Sequence, residues 1–227
     1  MALAVAGPLS AGMLMPLRDF KDRNFVEPRI YLASRSPRRR ELLAQIGVPF
    51  SLLLFRSESR LDEQVDETPF PDEIVDDYVV RVARAKAEFG SRLLQLRHLR
   101  PSPVLAADTT VELDGKIYGK PSDAAEATAM LKALSGRTHR VLTAIALSWQ
   151  GHLEHRLNIN EVRFRELSDA EIRHYVQSGE PMDKAGSYGI QGHAAMFVAE
   201  MRGEHSGIVG LPLCETTLLL REAGYPI

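Results

Sequence analysis

Cysteine is nearly absent. The 227-residue chain holds one, Cys214, which excludes an internal disulfide and a Cys/His zinc framework and makes a reducing compartment the default. Cys214 reads as a buried structural thiol in the last helix. Excess positive charge is also missing: the formal net charge is -2, which argues against the broad basic face of a duplex-binding protein. No segment approaches the ~20 apolar residues of a membrane span. There is no internal repeat and no low-complexity tract, and 44% hydrophobic with 26% charged residues describe a folded globular domain. Residues 1–17 are uncharged and interrupted by Gly7, Pro8, Gly12 and Pro16, without the basic start of a secretory leader. A flexible extension over 1–27, a single domain over 28–227 and a soluble, cytoplasmic protein are expected.

What is present is alternation of strand and helix signals. Residues 29–33 (RIYLA) form a short apolar run, and Ser36 and Pro37 then open a helix to Ile46 that buries Leu42, Leu43 and Ile46 and stops at Gly47. A second strand is expected over 50–55 and an acidic loop over 58–71. A long helix follows, in which Val75, Tyr78, Val79, Val82, Ala85 and Phe89 make one apolar stripe. Strands over 104–113 and 116–118 flank the hairpin turn Asp114-Gly115. Ser122-Asp123 caps a helix with Ala127, Met130, Leu131 and Leu134 inward, ended by Gly136. A longer antiparallel pair runs over 139–149 and 153–164 around Gln150-Gly151. Ser168 and Glu171 then form a capping box for a helix ending at Gly179, and a glycine-rich segment (184–192) precedes a final helix through Leu220. The sum is α/β with a mixed central sheet flanked by helices.

One stretch conflicts with elementary electrostatics. Arg38, Arg39 and Arg40 fall in the opening turn of the first helix, where free N–H groups already present partial positive charge. Successive helical residues point about 100° apart, so two of the three, with the N–H groups and the hydroxyls of Ser34 and Ser36, can converge on one anion. A phosphate suits that site. Asp108 is read at the point where the apolar run 104–107 leaves the interior, which is either a ligand site at a strand end or a turn-stabilising aspartate. Residues 115–121 fail as a P-loop, because only three residues separate the glycines and Pro121 stands where Ser or Thr is required; Lys120 remains available to phosphate as a point charge. Lys86 borders the buried stripe and by itself reads as a snorkelling side chain, and Glu67 as a solvated carboxylate. His152 and His155 have a metal-like spacing but are read as exposed hairpin residues.

Taken in order, SRSPRR (34–39), VDET (65–68), RVARAKA (81–87), AADTTV (106–111), GKP (119–121), LSGRTH (134–139), DKAGSYGIQG (183–192) and VGLPL (209–213) resemble the Maf family of nucleotide pyrophosphatases over roughly residues 28–224. The resemblance implies an ITPase-like fold with a cleft between two lobes, hydrolysis of nucleoside triphosphates to monophosphate and pyrophosphate, and a divalent cation such as Mg²⁺, Mn²⁺ or Co²⁺. It assigns Asp108 as proton acceptor, Arg39, Lys86 and Lys120 to phosphate handling and Glu67 to an essential acidic position, with Glu63 as its rival. Asp108 and Glu67 are the implied metal ligands. Arg38, Thr109 and Gln191 match the specificity positions of members cleaving dTTP and UTP; relatives acting on 7-methyl-GTP carry an aromatic residue at the first and Glu at the last. An amide at 191 offers the donor and acceptor that a uracil or thymine edge requires. Two positions depart from the pattern: Arg35, where a small residue is usual, and Gly207, where asparagine is common.

A free carboxylate is a poor base at neutral pH, so Asp108 acts either as proton acceptor or chiefly as a metal ligand; both readings stand at this point. The alternative class is a non-catalytic nucleotide-binding regulator of cell division or septation, against which the retained Asp108, Lys120 and Gln191 count. Nucleic-acid binding through residues 35–40 is opposed by the acidic balance. The expected partner is a small nucleoside triphosphate, with no nucleic acid or membrane, and the resemblance makes a homodimer plausible.

Overall fold

The computed structural model describes residues 29–55 and 65–227. The extension expected over 1–27 and the rival carboxylate Glu63 lie outside them. Among the described residues, β1 (Ile30–Leu32), α1 (Pro37–Gln45), β2 (Phe50–Leu52), α2 (Val75–Leu96), β3 (Val104–Leu113), β4 (Lys116–Tyr118), α3 (Ala124–Leu134), β5 (Thr138–Trp149), β6 (His152–Phe164), α4 (Asp169–Gln177), β7 (Val198–Arg202), α5 (His205–Val209) and α6 (Leu213–Glu222) follow in order. Three single turns of 3₁₀ helix lie between α4 and β7. The strands form one mixed seven-stranded sheet in the order β2-β1-β3-β5-β6-β7, with β4 also on β3. β1 is parallel to β2 and β3, and the remaining pairs are antiparallel.

Local chemistry sets most of these bounds. Both tight hairpins turn through consecutive positive-φ residues, Asp114-Gly115 and Gln150-Gly151, the twist that two-residue connections require. The Ser36 hydroxyl accepts from Arg39 N at the start of α1, and the reciprocal Ser168–Glu171 capping box opens α4. The second strand stops at Leu52, short of residue 55, because no neighbour pairs beyond the three residues that face β1.

Side-chain alternation along β3 sorts the core into layers. Val104 and Ala106 face α2 together with Leu142, Ala144 and Ala146 of β5. Leu105 and Ala107 face the opposite way, in a cluster with Leu42 and Leu43 of α1 and Leu219 and Leu220 of α6. Farther along that second face, Val111 and Leu113 pack with α3, α4 and the glycine-rich segment. The apolar stripe of α2 is wider than its sequence spacing suggests: Ala83, Ala87, Leu93 and Leu94 are buried, while Ala85 is only half-buried. A helix covering both β3 and β5 presents a broader face than one seated on a single strand.

Cys214 is exposed, which overturns the buried thiol expected from its apolar context. The inward stripe of α6 is Thr216, Leu219 and Leu220, and residue 214 projects off it at the first turn. His152 and His155 lie an odd number of residues apart on β6, so they project from opposite faces and cannot share an ion. Among the described residues no helix is long and apolar enough to cross a membrane.

Candidate active site

The sheet has a gap, and the site is built around it. β5 pairs with β3 along one edge from Val104 to Glu112. On the other edge β1 covers only Val104 and Leu105, and β4 covers Val111 to Leu113. On that edge the intervening stretch of β3, residues 106–110, has no strand beside it among the described residues. Asp108 therefore does not sit at the end of a strand, as the apolar run suggested; it lies mid-strand and buried, in a ten-residue β3. Through the gap both faces of the sheet reach one cleft of 1080 Å³, which narrows into a 540 Å³ recess beside Asp108.

Arg39 takes the place of the missing strand. Its Nη1 donates to the Ala107 carbonyl at 2.8 Å, Nε to the Gly210 carbonyl at 2.8 Å and Nη2 to Thr109 Oγ1 at 3.1 Å, with Ser34 Oγ at 3.4 Å from Nη1. A backbone acceptor on an open sheet edge needs a donor, and the guanidinium fork serves Ala107 O there while also holding the Gly210 carbonyl after α5. Every one of these acceptors is neutral. Among the described residues no carboxylate lies within ion-pair distance of Arg39. Surrounding protein lowers the Arg39 pKa from its ordinary value through desolvation, opposed by the charge of Asp108. The surface that Arg39 retains faces the cleft.

On the other face of β3, Asp108 meets α2. Lys86 Nζ sits 2.8 Å from Asp108 Oδ1 and 2.9 Å from Glu67 Oε1, so one ammonium bridges two carboxylates. Asp108 is buried, while the Glu67 side chain is 51% exposed at the cleft rim. The Glu67 loop is tied down by α2: Tyr78 Oη donates to the Glu67 carbonyl at 3.0 Å, and Arg81 donates to the Asp66 and Thr68 carbonyls while forking onto Glu73. The Arg81 guanidinium also lies 4.0 Å from the Phe70 ring centroid. Burial, then Asp108 and Glu67, push the Tyr78 hydroxyl up to about 12, which keeps it a donor.

Lys120 is exposed and lines both cleft and recess. Gln191 stands at the cleft wall beside Tyr188 and Gly189. Arg38 lines the same space, 3.6 Å from Asp183, and Ser34 and Ser36 floor it at the start of α1. Arg40 does not line it, as the helical rotation requires. Thus Asp108, Glu67, Lys86, Lys120, Ser34, Ser36, Arg38, Arg39, Thr109 and Gln191 line one connected space. The Thr109 hydroxyl is already engaged, by Arg39 and by Thr143 Oγ1 at 2.9 Å. Thr143, Arg81 and Tyr78 carry the support, and none of the three stands out as a site residue in the sequence. A lone threonine inside the apolar run of β5 is the available signal for the first, and the others sit on or beside a helical stripe that reads as packing. His155 contacts Arg84 at 3.2 Å, and its pKa is lowered by burial and by that arginine.

Gly210 has a φ of +124° and a built Cβ there would lie 3.3 Å from Thr109 Oγ1, so backbone approaches the guanidinium where side chains cannot. Gly207, the departure from the family pattern, is explained by a neighbour: a Cβ would fall 1.9 Å from Asn158 Oδ1. Asn158 fills the space that a larger residue at 207 would take.

The family model described as Maf-like protein matches residues 29–223. The chain is 62% identical over 203 residues to a protein of Aromatoleum aromaticum named dTTP/UTP pyrophosphatase, covering 89% of this chain and 98% of that protein. A Dechloromonas aromatica protein of the same name is 57% identical over 197 residues, covering 87% of this chain and 98% of its own length. The Staphylococcus aureus Ham1 structure overlaps 62% of this chain and 72% of its own, at 19% identity and a TM-score of 0.40.

Proposed function

We propose, from the premise that this chain belongs to the Maf-like protein family, that it hydrolyses dTTP and UTP to the monophosphate and pyrophosphate. The observation that carries this reading is Arg39, a deep-set cation held by neutral acceptors alone, two of them on the residues that flank the buried Asp108 in β3. A desolvated charge without a counter-ion is costly, and a phosphate tail in the cleft would supply the counter-ion. The substrates in the relatives' names agree with it. A cleft of 1080 Å³ accommodates a ligand of nucleotide size.

In this reading the triphosphate lies across the gap in the sheet. Arg39, Lys120 and the N–H groups at the start of α1 stabilise charge on the phosphates. Arg38 and Gln191 face the base, Gln191 supplying one donor and one acceptor to the pyrimidine edge. Thr109 serves the substrate through Arg39, because its hydroxyl is already taken. Lys86 fixes Asp108 by one oxygen, Oδ1, which leaves Oδ2 to orient the attacking water and accept its proton.

Asp108 and Glu67 also fit a divalent cation. Two carboxylates facing one phosphate site are the hard oxygen donors that such an ion takes. Among the described residues no cluster of three ligating side chains occurs, so phosphate and water oxygens would complete the shell. When bound, the ion would neutralise phosphate charge and acidify a coordinated water.

The experiment is pyrophosphate release from dTTP, UTP, CTP, their 5-methyl analogues and 7-methyl-GTP, with and without Mg²⁺, Mn²⁺ or Co²⁺. Release from dTTP and UTP well ahead of 7-methyl-GTP is expected. Binding of nucleotide without release from any of them would replace the enzyme with the non-catalytic regulator.

A further inference from the structure

The segment that delivers the Gly210 carbonyl to Arg39 is held by a carboxylate remote from the cleft. Glu204 lies just before α5, and its Oε1 accepts from Leu213 N at 2.7 Å, from Cys214 N at 3.2 Å and from the Ser206 hydroxyl. Ser206 Oγ itself accepts from Leu213 N at 3.0 Å. The residue at the N-cap of α6 is Pro212, which makes no side-chain cap bond, so Glu204 caps that helix from upstream in the chain. This closes residues 204–213 into a loop pinned at its base. The loop carries two carbonyls to the site: Gly207 O accepts from Thr143 Oγ1 at 2.8 Å, and Gly210 O accepts from Arg39 Nε at 2.8 Å. Thr143 in turn bonds Thr109, which accepts from Arg39 Nη2. Two of the three close contacts that aim Arg39 therefore lead back to the loop.

The base of the loop is locked to the sheet as well. Glu204 N donates to Asn160 Oδ1 at 2.6 Å, Asn160 Nδ2 to Asn158 Oδ1 at 2.6 Å, and Asn158 Nδ2 reaches Glu204 Oε2 at 3.2 Å and Glu215 Oε1 at 2.6 Å. Burial and the hydrogen bond to Glu204 push the Glu215 carboxyl above its ordinary range. Glu204 is held below its own range: desolvation opposes this, but hydrogen bonds from Glu215, Ser206, Cys214 and Leu213 prevail.

We infer that Glu204 is a positioning residue for Arg39, setting the guanidinium's place in the cleft through the carbonyls of Gly207 and Gly210. The inference rests on the phosphate-binding role proposed for Arg39. It concerns how a residue outside the cleft, contacting neither substrate nor cation, governs the reaction.

A double-mutant cycle on the full chain tests it, read as kcat and KM for dTTP. Glu204→Ala is expected to lower kcat/KM about tenfold, since displacing a phosphate-binding group by an ångström or so weakens the transition state. In the Arg39→Ala background the same change is expected to add less than about twofold, because the two residues act through one path. Glu204→Gln keeps an acceptor oxygen for Leu213, Cys214 and Ser206 and is expected to stay within about threefold of wild type. Ser206→Ala removes one strand of the same tie and is expected to show a smaller loss with the same coupling; it carries the test if Glu204→Ala unfolds near assay temperature. Full additivity of Glu204 or Ser206 changes with Arg39→Ala would overturn the inference. An Arg39→Ala variant with wild-type kcat/KM would instead overturn the phosphate role of Arg39, and so the reading beneath it.

Discussion

Two cations stand on either side of β3, and they are treated oppositely. Lys86 lies between two carboxylates at 2.8 and 2.9 Å, so its charge is satisfied before any ligand arrives. Arg39 is gripped by two backbone carbonyls and a threonine hydroxyl, which fix its direction without cancelling its charge. The contrast separates two roles that basic residues in one cleft can play. Lys86 organises Asp108 and Glu67, whereas Arg39 is held by neutral acceptors, as the phosphate role proposed for it requires. His139 shows how this fold handles a buried nitrogen that does not line the cleft. Burial pushes its pKa down to about 4, and it stays neutral.

The largest expected effect falls on the carboxylate of the Lys86 side. Asp108→Asn keeps the shape but removes the proposed proton acceptor and should lower kcat for dTTP by about 10³-fold, measured as pyrophosphate release at saturating divalent cation. Retention of most of the turnover would show that Lys86 organises nothing catalytic there.

Arg39→Met should lower kcat/KM by a few hundredfold, of the order seen when one preorganised donor to developing charge is removed. The sharper measurement is pyrophosphate affinity by calorimetry. Arg39→Met should weaken it more than Lys86→Met does, because only Arg39 of this pair lacks a protein counter-charge; the reverse order would break the comparison.

His139 calibrates the background. Its folded pKa lies below the ordinary 6.5, so between those values the unfolded chain binds more protons. The stabilisation from keeping it neutral is fully present above pH 6.5 and is lost as pH falls through about 4. That loss amounts to about 3 kcal/mol by the conversion of pKa shift to free energy. Denaturant unfolding across that window should show the slope in the wild type and a flatter profile in His139→Gln.

The smallest effect concerns the strap under Glu67. Tyr78→Phe removes the 3.0 Å bond to the Glu67 carbonyl and should cost about 1 kcal/mol of stability, with KM for the metal-bound substrate rising more than kcat falls.

Much of the fold is legible locally. The turns at Asp114-Gly115 and Gln150-Gly151, the Ser36 and Ser168 caps and the alternation along β3 arise from short-range sterics and hydrogen bonding, which a few neighbouring residues specify. Cys214 misleads because its apolar context suggests burial, while the register of the α6 stripe, starting at Thr216, places it outside. Asp108 draws notice by following an apolar run, yet a mid-strand position has no local mark. Nothing near Gly210 or Thr143 in the chain announces that the first holds a distant arginine directly and the second backs it through Thr109.

By itself the sequence determined which segments are strands and helices, which turns join them and which family motifs the chain carries, because backbone propensities, caps and two-residue turns act over a few positions. The tertiary structure alone decided that β1 and β4 stop short of each other along β3. Side chains from opposite faces of one strand meet only where neighbouring strands are missing, and the register of a sheet is settled by long-range pairing that no single stretch encodes.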